Sequence, residues 1–422
     1  MPILSVNFVG TLGFSIVLPF MVFLVTKWGG NAIVYGVLAS TYSLFQLIGA
    51  PILGKWSDRW GRRRILLLSQ VGTTLSWLIF LIAFVMPDGV LLEVDSTMLG
   101  QFTVTLPLLI LFLARAADGL TGGNVSVANA YLADIGDDAH RSENYGRMAL
   151  STNVGFVAGP ALAGLLGATA YGEILPVTAA LLISIIATLL IGFMLKESKP
   201  RALTTNPEDA NACTVFGQET KECFLRHGRD TISDWDVLGL PHIPALLTVN
   251  FLVMLGFSFF YIAFPTHAAI ALGWSVTDIG IFFALLSLVM VLVQGPLLGR
   301  LSHIVSDAVL IAFGTIALSV GFGLFLFGDM LVIYAGAGLM ALGNGLMWPT
   351  FMAVLSRRAD GPVQGTVQGL ASSLGAAASI LGLIGGGLLY TWIGPWVFVV
   401  SAVTITSILI VIFTARAAIS AA

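Results

Sequence analysis

Two charged residues, Arg115 and Asp118, lie deep inside an apolar stretch of the chain, where a charge is costly to hold. They are three residues apart, so in a helix they lie one turn from each other on the same face. A carboxylate in apolar surroundings can avoid the cost of its charge by binding a proton, and a neighbouring guanidinium can pair with the deprotonated form. The spacing therefore indicates a site for reversible proton binding. The alternative is a structural ion pair that holds two helices together.

The composition predicts an integral membrane protein. Apolar residues make up 57% of the 422 residues and charged residues only 10%, whereas soluble domains carry about 25% charged residues. The net charge of −3 argues against a general nucleic-acid-binding protein, and two cysteines, Cys213 and Cys223, are too few for a disulfide scaffold. No phosphate-binding loop, metal-ligand cluster or nucleophile–base pair stands out, so we expect no cofactor and no metal site, and an ATP-driven pump is disfavoured.

Twelve apolar runs are long enough to cross a membrane, which requires about 20 residues in a helix. The alternating polarity of barrel strands is absent, so the sequence predicts an all-α membrane protein of twelve transmembrane helices. The runs are 2–26, 32–53, 65–86, 106–133, 146–170, 174–195, 244–270, 277–299, 308–328, 330–354, 364–390 and 395–415.

The distribution of basic residues predicts the orientation of these runs. If the N-terminus is cytoplasmic, all 19 lysines and arginines fall in cytoplasmic segments except Lys27, which is external, and Arg115, which is within a run. Both termini are then cytoplasmic. The one long loop, residues 196–242, divides the chain into an N-terminal bundle of six helices at 1–195 and a C-terminal bundle of six at 243–422, and we expect it to be a flexible linker.

The two predicted bundles contain an internal repeat. Residues 51–58 at the end of the second run, PILGKWSD, are similar to residues 296–303 at the end of the eighth, PLLGRLSH. Asp118 and Gly119 of the fourth run correspond in the same way to Asn344 and Gly345 of the tenth. Two similar halves are typical of secondary transporters, whose substrate site lies between the halves near the midplane. Chance similarity between glycine-rich helices is the alternative.

The second run ends in a segment rich in glycine and arginine, residues 54–64, GKWSDRWGRRR. Gly54 would let the helix end approach a neighbour, and Gly61 would permit a turn. Asp58 could accept hydrogen bonds from a helix N-terminus or from nearby arginines, which would form a charged latch that breaks as the halves move. An ordinary cluster of cytoplasmic basic residues is the alternative. The predicted cytoplasmic gate comprises Gly54, Asp58, Arg59, Gly61, Arg62 and Arg63.

The fifth run contains small residues at helical spacing, in the segment GFVAGPALAG at 155–164. Gly155 and Gly159 belong to a small-residue face suited to close helix contact. Pro160 and Gly164 lie on a second face and can bend the helix. Such a seam could seal a cavity against leak, although plain small-residue packing explains the pattern as well.

These segments resemble signature motifs of the major facilitator superfamily. Residues 54–64 are similar to its loop G-x-x-x-D-[RK]-x-G-[RK]-[RK], residues 115–119 to R-x-x-[QD]-G, and residues 155–164 to the antiporter motif G-x-x-x-G-P-x-x-G-G, with Ala163 in place of one glycine. The resemblance implies two pseudo-symmetric six-helix bundles and, for 115–119, a role in proton transfer. It is strongest to twelve-span drug:proton antiporters such as tetracycline exporters. Those relatives carry acidic residues in the first and ninth spans, where this chain has none except at the ends of the ninth, so we expect coupling to rest on Asp118.

Polar and aromatic residues in other runs are candidates for a substrate cavity. Tyr42 and Gln46 share a face of the second run, Asn344 and Trp348 are one turn apart in the tenth, and Gln368 belongs to a polar stripe of the eleventh. Tryptophan and asparagine could stack against and orient a flat amphiphilic compound. Hydrogen bonding between helices is the alternative for each residue.

Taken together, the patterns favour a secondary transporter, monomeric and embedded in the lipid bilayer of a bacterial inner membrane. We expect it to export a small amphiphilic, drug-like compound in exchange for protons by alternating access, with no nucleic-acid partner. The main alternative is a symporter or facilitator for a sugar, organic acid or lipid-like metabolite. A membrane-embedded enzyme or receptor would need a catalytic cluster or a large extramembrane domain, and the sequence indicates neither.

Overall fold

The computed structural model describes residues 2–122, 127–128, 131–132, 141–198, 238–240, 242–358 and 364–414. Within them, each of the twelve predicted runs coincides with helix. The first half contains α1 (Pro2–Ser15), α2 (Met21–Lys27), α3 (Ala32–Trp60), α4 (Arg62–Ile82), α5 (Leu106–Thr121), α6 (Arg141–Gly167) and α7 (Ile174–Met194). The second half contains α8 (Ile243–Ile270), α9 (Val276–Leu292), α10 (Leu298–Leu301), α11 (Asp307–Leu324), α12 (Met330–Arg358), α13 (Gln364–Ile393) and α14 (Val397–Thr414).

Nine segments of the described chain are long and apolar enough to span a membrane, and one of them, Val367–Ile412, runs through both α13 and α14. The first and fourth predicted runs account for the remaining difference from twelve. Pro19, which lacks a backbone donor, lies in the turn between α1 and α2. In the fourth run, α5 ends at Thr121, and of the rest of that run the structure describes residues 122, 127–128 and 131–132, of which the last four are helical. Proline therefore divides the first apolar run into two shorter helices, whereas the fourth run is described only in part.

The segment between α4 and α5 forms a β-hairpin, which the sequence analysis does not predict. Strand β1 (Val90–Ser96) pairs antiparallel with β2 (Gly100–Thr105), with Val94 opposite Phe102. Gly100 lies at the turn with a φ of 69°, which favours glycine. We call the end of the molecule that carries this hairpin the hairpin end, and the end at which α3 meets α4 the motif end.

The hairpin connects the two halves of the molecule. On the side of the first half, Asn31 Nδ2 donates to the carbonyl of Leu99 at 2.9 Å, and the N–H of Thr103 donates to the carbonyl of Gly29 at 2.9 Å. On the side of the second half, Trp392 Nε1 at the end of α13 donates to the carbonyl of Met98 at 2.8 Å. The hairpin thus lies across the junction of the halves.

The halves pack against each other mainly through two helix pairs, α3 with α13 and α6 with α9, and close approaches lie near the hairpin end. A Cβ added to Gly280 of α9 would lie 2.7 Å from the Cα of Gly164 in α6, and one added to Gly387 of α13 would lie 2.5 Å from the carbonyl oxygen of Ala32 in α3. Thr277 Oγ1 also donates to the carbonyl of Gly164 at 2.9 Å. Small residues allow this contact, because helices in lipid associate through close van der Waals packing.

Asn31 performs two separable tasks, which gives a first prediction. Its Oδ1 accepts from the N–H groups of Ile33 and Val34 and so caps α3, while its Nδ2 bonds the hairpin. Asn31→Asp keeps the capping oxygen and loses the donor, whereas Asn31→Ala loses both. We expect faster hydrogen exchange in residues 90–105 of both variants, and an additional loss of about 1 kcal/mol of stability only in Asn31→Ala. Exchange measured by mass spectrometry and thermal unfolding test this; unchanged hairpin exchange in Asn31→Asp would contradict it.

Candidate functional site

An ion pair on α5 forms the centre of the candidate site. Arg115 Nη1 lies 3.3 Å from Asp118 Oδ2, and the two side chains are 10% and 14% exposed. The predicted spacing of one helical turn thus produces the predicted contact. Both charges are held within the helical bundle of the first half, where neither can be solvated as it would be in bulk water.

The guanidinium of Arg115 has a second neighbour, the aromatic ring of Tyr42 in α3. The central carbon of the guanidinium lies 4.5 Å from the ring centroid, which is within the range of a cation–π contact. Arg115 Nε is buried and has no hydrogen-bond partner among the residues that the structure describes. The ring face and the single carboxylate therefore carry much of the compensation for this charge.

Asp118 lines a cavity of about 310 Å³ within the first half, in the size range of small-molecule sites. Six helices contribute to it: α1, α3, α4, α5, α6 and α7. Of the residues predicted from the sequence, Asp118, Tyr42 and Gln46 meet at this cavity. Gln46 Nε2 donates to the Tyr42 hydroxyl at 3.1 Å and to the carbonyl of Gly122 at 3.0 Å, so these side chains also join α3 to the end of α5.

Other cavity residues were not singled out as candidates from the sequence. Gln70 and Thr73 of α4 face the cavity, and Thr73 also interacts with the Asp118 carboxylate. Gln70 Nε2 donates to Ser184 Oγ of α7 at 2.8 Å. A signal was available, because Gln70 and Thr73 are polar and three residues apart in an apolar run, which places them on one helix face. Asn7, Thr152 and Phe156 line the same cavity.

The candidates from the second half lie elsewhere. Asn344 Nδ2 in α12 lies 3.2 Å from Met290 Sδ, and the ring of Trp348 lies 5.9 Å from that of Phe351. Gln368 is a half-buried residue of α13. None of the three lines the cavity at Asp118. Their role in a cavity between the halves stays a prediction.

The segment after the second run adopts the predicted turn at Gly61, whose φ is 97°. An acidic residue from a distant part of the chain adds to it: Glu197 Oε1, beyond the end of α7, accepts from the backbone N–H of Arg63 at the start of α4, at 3.1 Å. The positive φ favours glycine at position 61, and a Cβ there would in addition lie 2.7 Å from Glu197 Oε2, so the Glu197 side chain would have to move. Arg62 Nη1 donates to Ser57 Oγ at 2.7 Å.

Two expectations for this segment fare differently. Among the residues that the structure describes, nothing lies within 4 Å of a Cβ added at Gly54, so the expected close helix approach is not seen there. The side chain of Asp58 lies outside the described part of the chain, and Arg59 is exposed. The latch at Asp58 therefore stays a prediction.

The small residues of α6 lie on two faces, as predicted. An added Cβ would lie 2.9 Å from Thr11 Cβ at Gly155 and 2.9 Å from the backbone nitrogen of Ile16 at Gly159, so this face packs on α1. The face with Pro160 and Gly164 packs on Gly280 of α9 in the other half. The motif thus connects one helix of the first half with the second half.

The linker predicted at 196–242 lies mostly outside the described residues, and its flexibility stays a prediction. In the described part of the chain, no group of three or more histidine, cysteine, aspartate or glutamate side chains is arranged to hold a metal ion.

Comparison with known proteins agrees with this architecture. Residues 3–240 and 246–420 match the family described as Major Facilitator Superfamily. The chain is 30% identical over 356 residues to a tetracycline resistance protein, class C, of Escherichia coli, covering 82% of this chain and 78% of that one. It is 25% identical over 390 residues to multidrug resistance protein 2 of Bacillus subtilis (strain 168), covering 92% and 88%.

Among solved structures, a D-xylose–proton symporter has the same fold, with a TM-score of 0.73 at 13% identity over 97% of this chain and 96% of that one. The family match extends over nearly the whole chain and includes both helical halves. The chain therefore belongs to the major facilitator superfamily, and it is a membrane transporter rather than an enzyme.

Proposed function

We propose that the protein exports a small amphiphilic, drug-like compound in exchange for protons, by alternating access. The observation that carries the proposal is the buried carboxylate of Asp118, which is paired with Arg115 and lines a cavity large enough for a small molecule. A carboxylate in such surroundings can exchange its negative charge for a bound proton. The tetracycline and multidrug resistance relatives support export of a drug-like compound.

The orientation belongs to the proposal as well. The basic residues of segment 55–64 lie at the motif end, and basic residues are enriched in cytoplasmic segments. We therefore assign the motif end and both termini to the cytoplasm of a bacterial cell and the hairpin end to the outer face of its inner membrane. The close packing at Gly164 and Gly280 then represents closure on the outside.

The transport cycle follows from the charge of Asp118. When the hairpin end opens, an external proton neutralises Asp118 and the substrate leaves outward. When the motif end opens, the proton is lost to the cytoplasm, and the negative cavity accepts a new substrate. The driving force is adequate, because moving one charge across 100 mV is worth about 2.3 kcal/mol.

The cavity lining supports the proposed class of substrate. Aromatic rings of Phe14, Tyr42, Trp77 and Phe156 supply apolar faces for a flat molecule. Amides, hydroxyls and one carboxylate supply a few hydrogen-bonding groups among them, which is the usual composition of a small-molecule site.

Proton coupling can be tested by removing the carboxylate of Asp118. In proteoliposomes with an imposed pH gradient, adding tetracycline or ethidium, a flat amphiphilic cation, should dissipate the gradient through the wild-type protein. Asp118→Asn should lower this proton flux at least about a hundredfold while binding of the probe persists, because the amide cannot carry a proton. Asp329→Asn is the matched control, since Asp329 caps α12 with an oxygen that asparagine retains.

Two outcomes would contradict this function. Unchanged proton flux in Asp118→Asn would remove Asp118 from the coupling mechanism. Counterflow of the probe that is indifferent to pH would favour a facilitator instead of an exchanger.

The alternating-access part of the proposal can be tested at the contact between α6 and α9. Gly280→Val places side-chain atoms where Gly164 and Pro160 lie, and such overpacking costs about 1–3 kcal/mol. We expect it to open the hairpin end and to raise the labelling rate of an Ala32→Cys reporter by a hydrophilic maleimide about tenfold. The native cysteines are replaced by serine. Gly323→Val is the control, because a Cβ there meets no described residue within 4 Å; equal labelling in both variants would refute the assigned closure.

A further inference from the structure

The buried guanidinium of Arg115 makes few hydrogen bonds to the residues that the structure describes. A guanidinium has five N–H donors, yet the ion pair with Asp118 is a single contact of 3.3 Å and Nε has no partner among the described residues. If Asp118 bound a proton and lost its charge, this contact would weaken. Leaving an uncompensated charge in a bundle is strongly unfavourable, so some other group has to stabilise Arg115 in that state.

Tyr42 is placed to be that group. Its ring centroid lies 4.5 Å from the guanidinium carbon of Arg115, and the face of an aromatic ring attracts a cation without carrying a charge of its own. This attraction does not depend on whether Asp118 is ionised. The ring therefore offers Arg115 a partner in both protonation states.

The ring of Tyr42 is held firmly in this position. Its hydroxyl accepts from Gln46 Nε2 at 3.1 Å, and the same amide group donates to the carbonyl of Gly122. The ring of Phe14 from α1 packs at 5.4 Å. A Cβ added to Gly119 would lie 3.1 Å from the backbone carbon of Tyr42, which shows how closely α3 approaches α5 here. Moving the ring away from Arg115 would cost the hydrogen bond from Gln46 and the contact with Phe14.

Among the described residues, Asp118 supplies the one carboxylate that lines the cavity. The same holds for the small adjoining space at Ser76, Trp77 and Phe80. The other charged or titratable groups near the pair are Tyr42 and Tyr35, both of α3, while α4 contributes the neutral hydroxyl of Thr73. Arg115 therefore has the Asp118 carboxylate and the face of the Tyr42 ring as its close electrostatic partners among the described residues.

We propose that Tyr42 is a positioning residue for proton exchange: its ring retains the guanidinium of Arg115 beside α3 when Asp118 is protonated, and this makes proton binding reversible. The inference rests on the proposed role of Asp118 as the proton carrier. It assigns to Tyr42, in addition to a place in the cavity wall, control of the pH at which the carrier is loaded.

A difference infrared titration of the full-length protein in detergent, without substrate, tests this directly. The carbonyl stretch of a protonated carboxylic acid reports on Asp118, and Asp118→Asn identifies its band. Replacing Tyr42 with phenylalanine keeps a ring face that attracts cations, whereas pentafluorophenylalanine has nearly the same shape and an inverted ring charge distribution. Comparing these two variants separates electrostatics from packing, and Tyr42→Leu provides a third comparison.

We expect Tyr42→Phe to titrate close to the wild type. In the pentafluoro variant Arg115 depends more strongly on the ionised carboxylate, so protonation becomes harder, and the band should appear at a pH about one unit lower, a tenfold change in proton affinity. The pH profile of gradient-driven transport of ethidium should shift in the same direction. A purely structural role for Tyr42 would lower activity at every pH without moving the profile.

The other outcomes are distinguishable. If the band identified by Asp118→Asn is present and titrates at the same pH in the phenylalanine and pentafluorophenylalanine variants, the inference about Tyr42 is refuted while the proposed function stands. If no band depends on Asp118 at any pH at which the protein stays folded, both are refuted, because the carboxylate then does not exchange a proton.

Discussion

A buried positive charge is the constraint around which the first half of this transporter is organised. Arg115 cannot be solvated by water in the bundle, so its neighbours have to compensate for it, and they come from its own helix and from α3. The close packing of α3 on α5, made possible by Gly119, brings the Tyr42 ring to the guanidinium. The hydrogen bonds of Gln46 then tie the end of α5 to the same helix. Helix packing and the electrostatic contacts of Arg115 thus both favour the same position of α3 relative to α5.

The two ends of the molecule differ in how their helices are joined. At the hairpin end, small residues let α6 approach α9 and α3 approach α13, and the hairpin adds a hydrogen bond to Trp392. At the motif end, the turn at Gly61 is held by charged groups, among them Glu197, whose carboxylate accepts from the N–H of Arg63 at the start of α4. These two kinds of contact respond differently to movement. The van der Waals attraction between closely packed helices is lost over a small separation. An exposed charged group that loses its partner can instead form hydrogen bonds with water.

Features of the fold and of the candidate site could be predicted from the sequence where they depend on residues that are close together in the chain. The contact between Arg115 and Asp118 follows from helical spacing, the turn at Gly61 from its freedom to adopt a positive φ, and the two faces of α6 from the positions of its small residues. The break after α1 also had a local signal in Pro19 that a count of apolar residues does not register. Apolar run length predicts that a segment is helical better than where each helix ends.

Features that depend on distant contacts could not be predicted. Glu197 is 134 positions from Arg63, and no spacing rule connects the two. The hairpin was missed because apolar Leu91 and Leu92 are adjacent, which blurs the alternation that indicates a strand. The cavity at Asp118 lies within the first half because its walls come from the packing of six helices of that half, while the substrate site that the repeat predicts between the halves stays a prediction.

The position of the cavity raises the question of how a charge inside one half can influence the junction between the two. The geometry answers it through α3, which contacts Arg115 with the ring of Tyr42 and contacts α13 of the other half with Gly36, about two turns earlier on the same helix. A rigid helix transmits displacement along its length, and packed interfaces change between discrete arrangements rather than deforming smoothly. Any change in the position of Arg115 relative to Tyr42 therefore acts on an element that is already part of the contact between the halves. A site in one bundle can in this way be mechanically connected to the opening of the whole molecule.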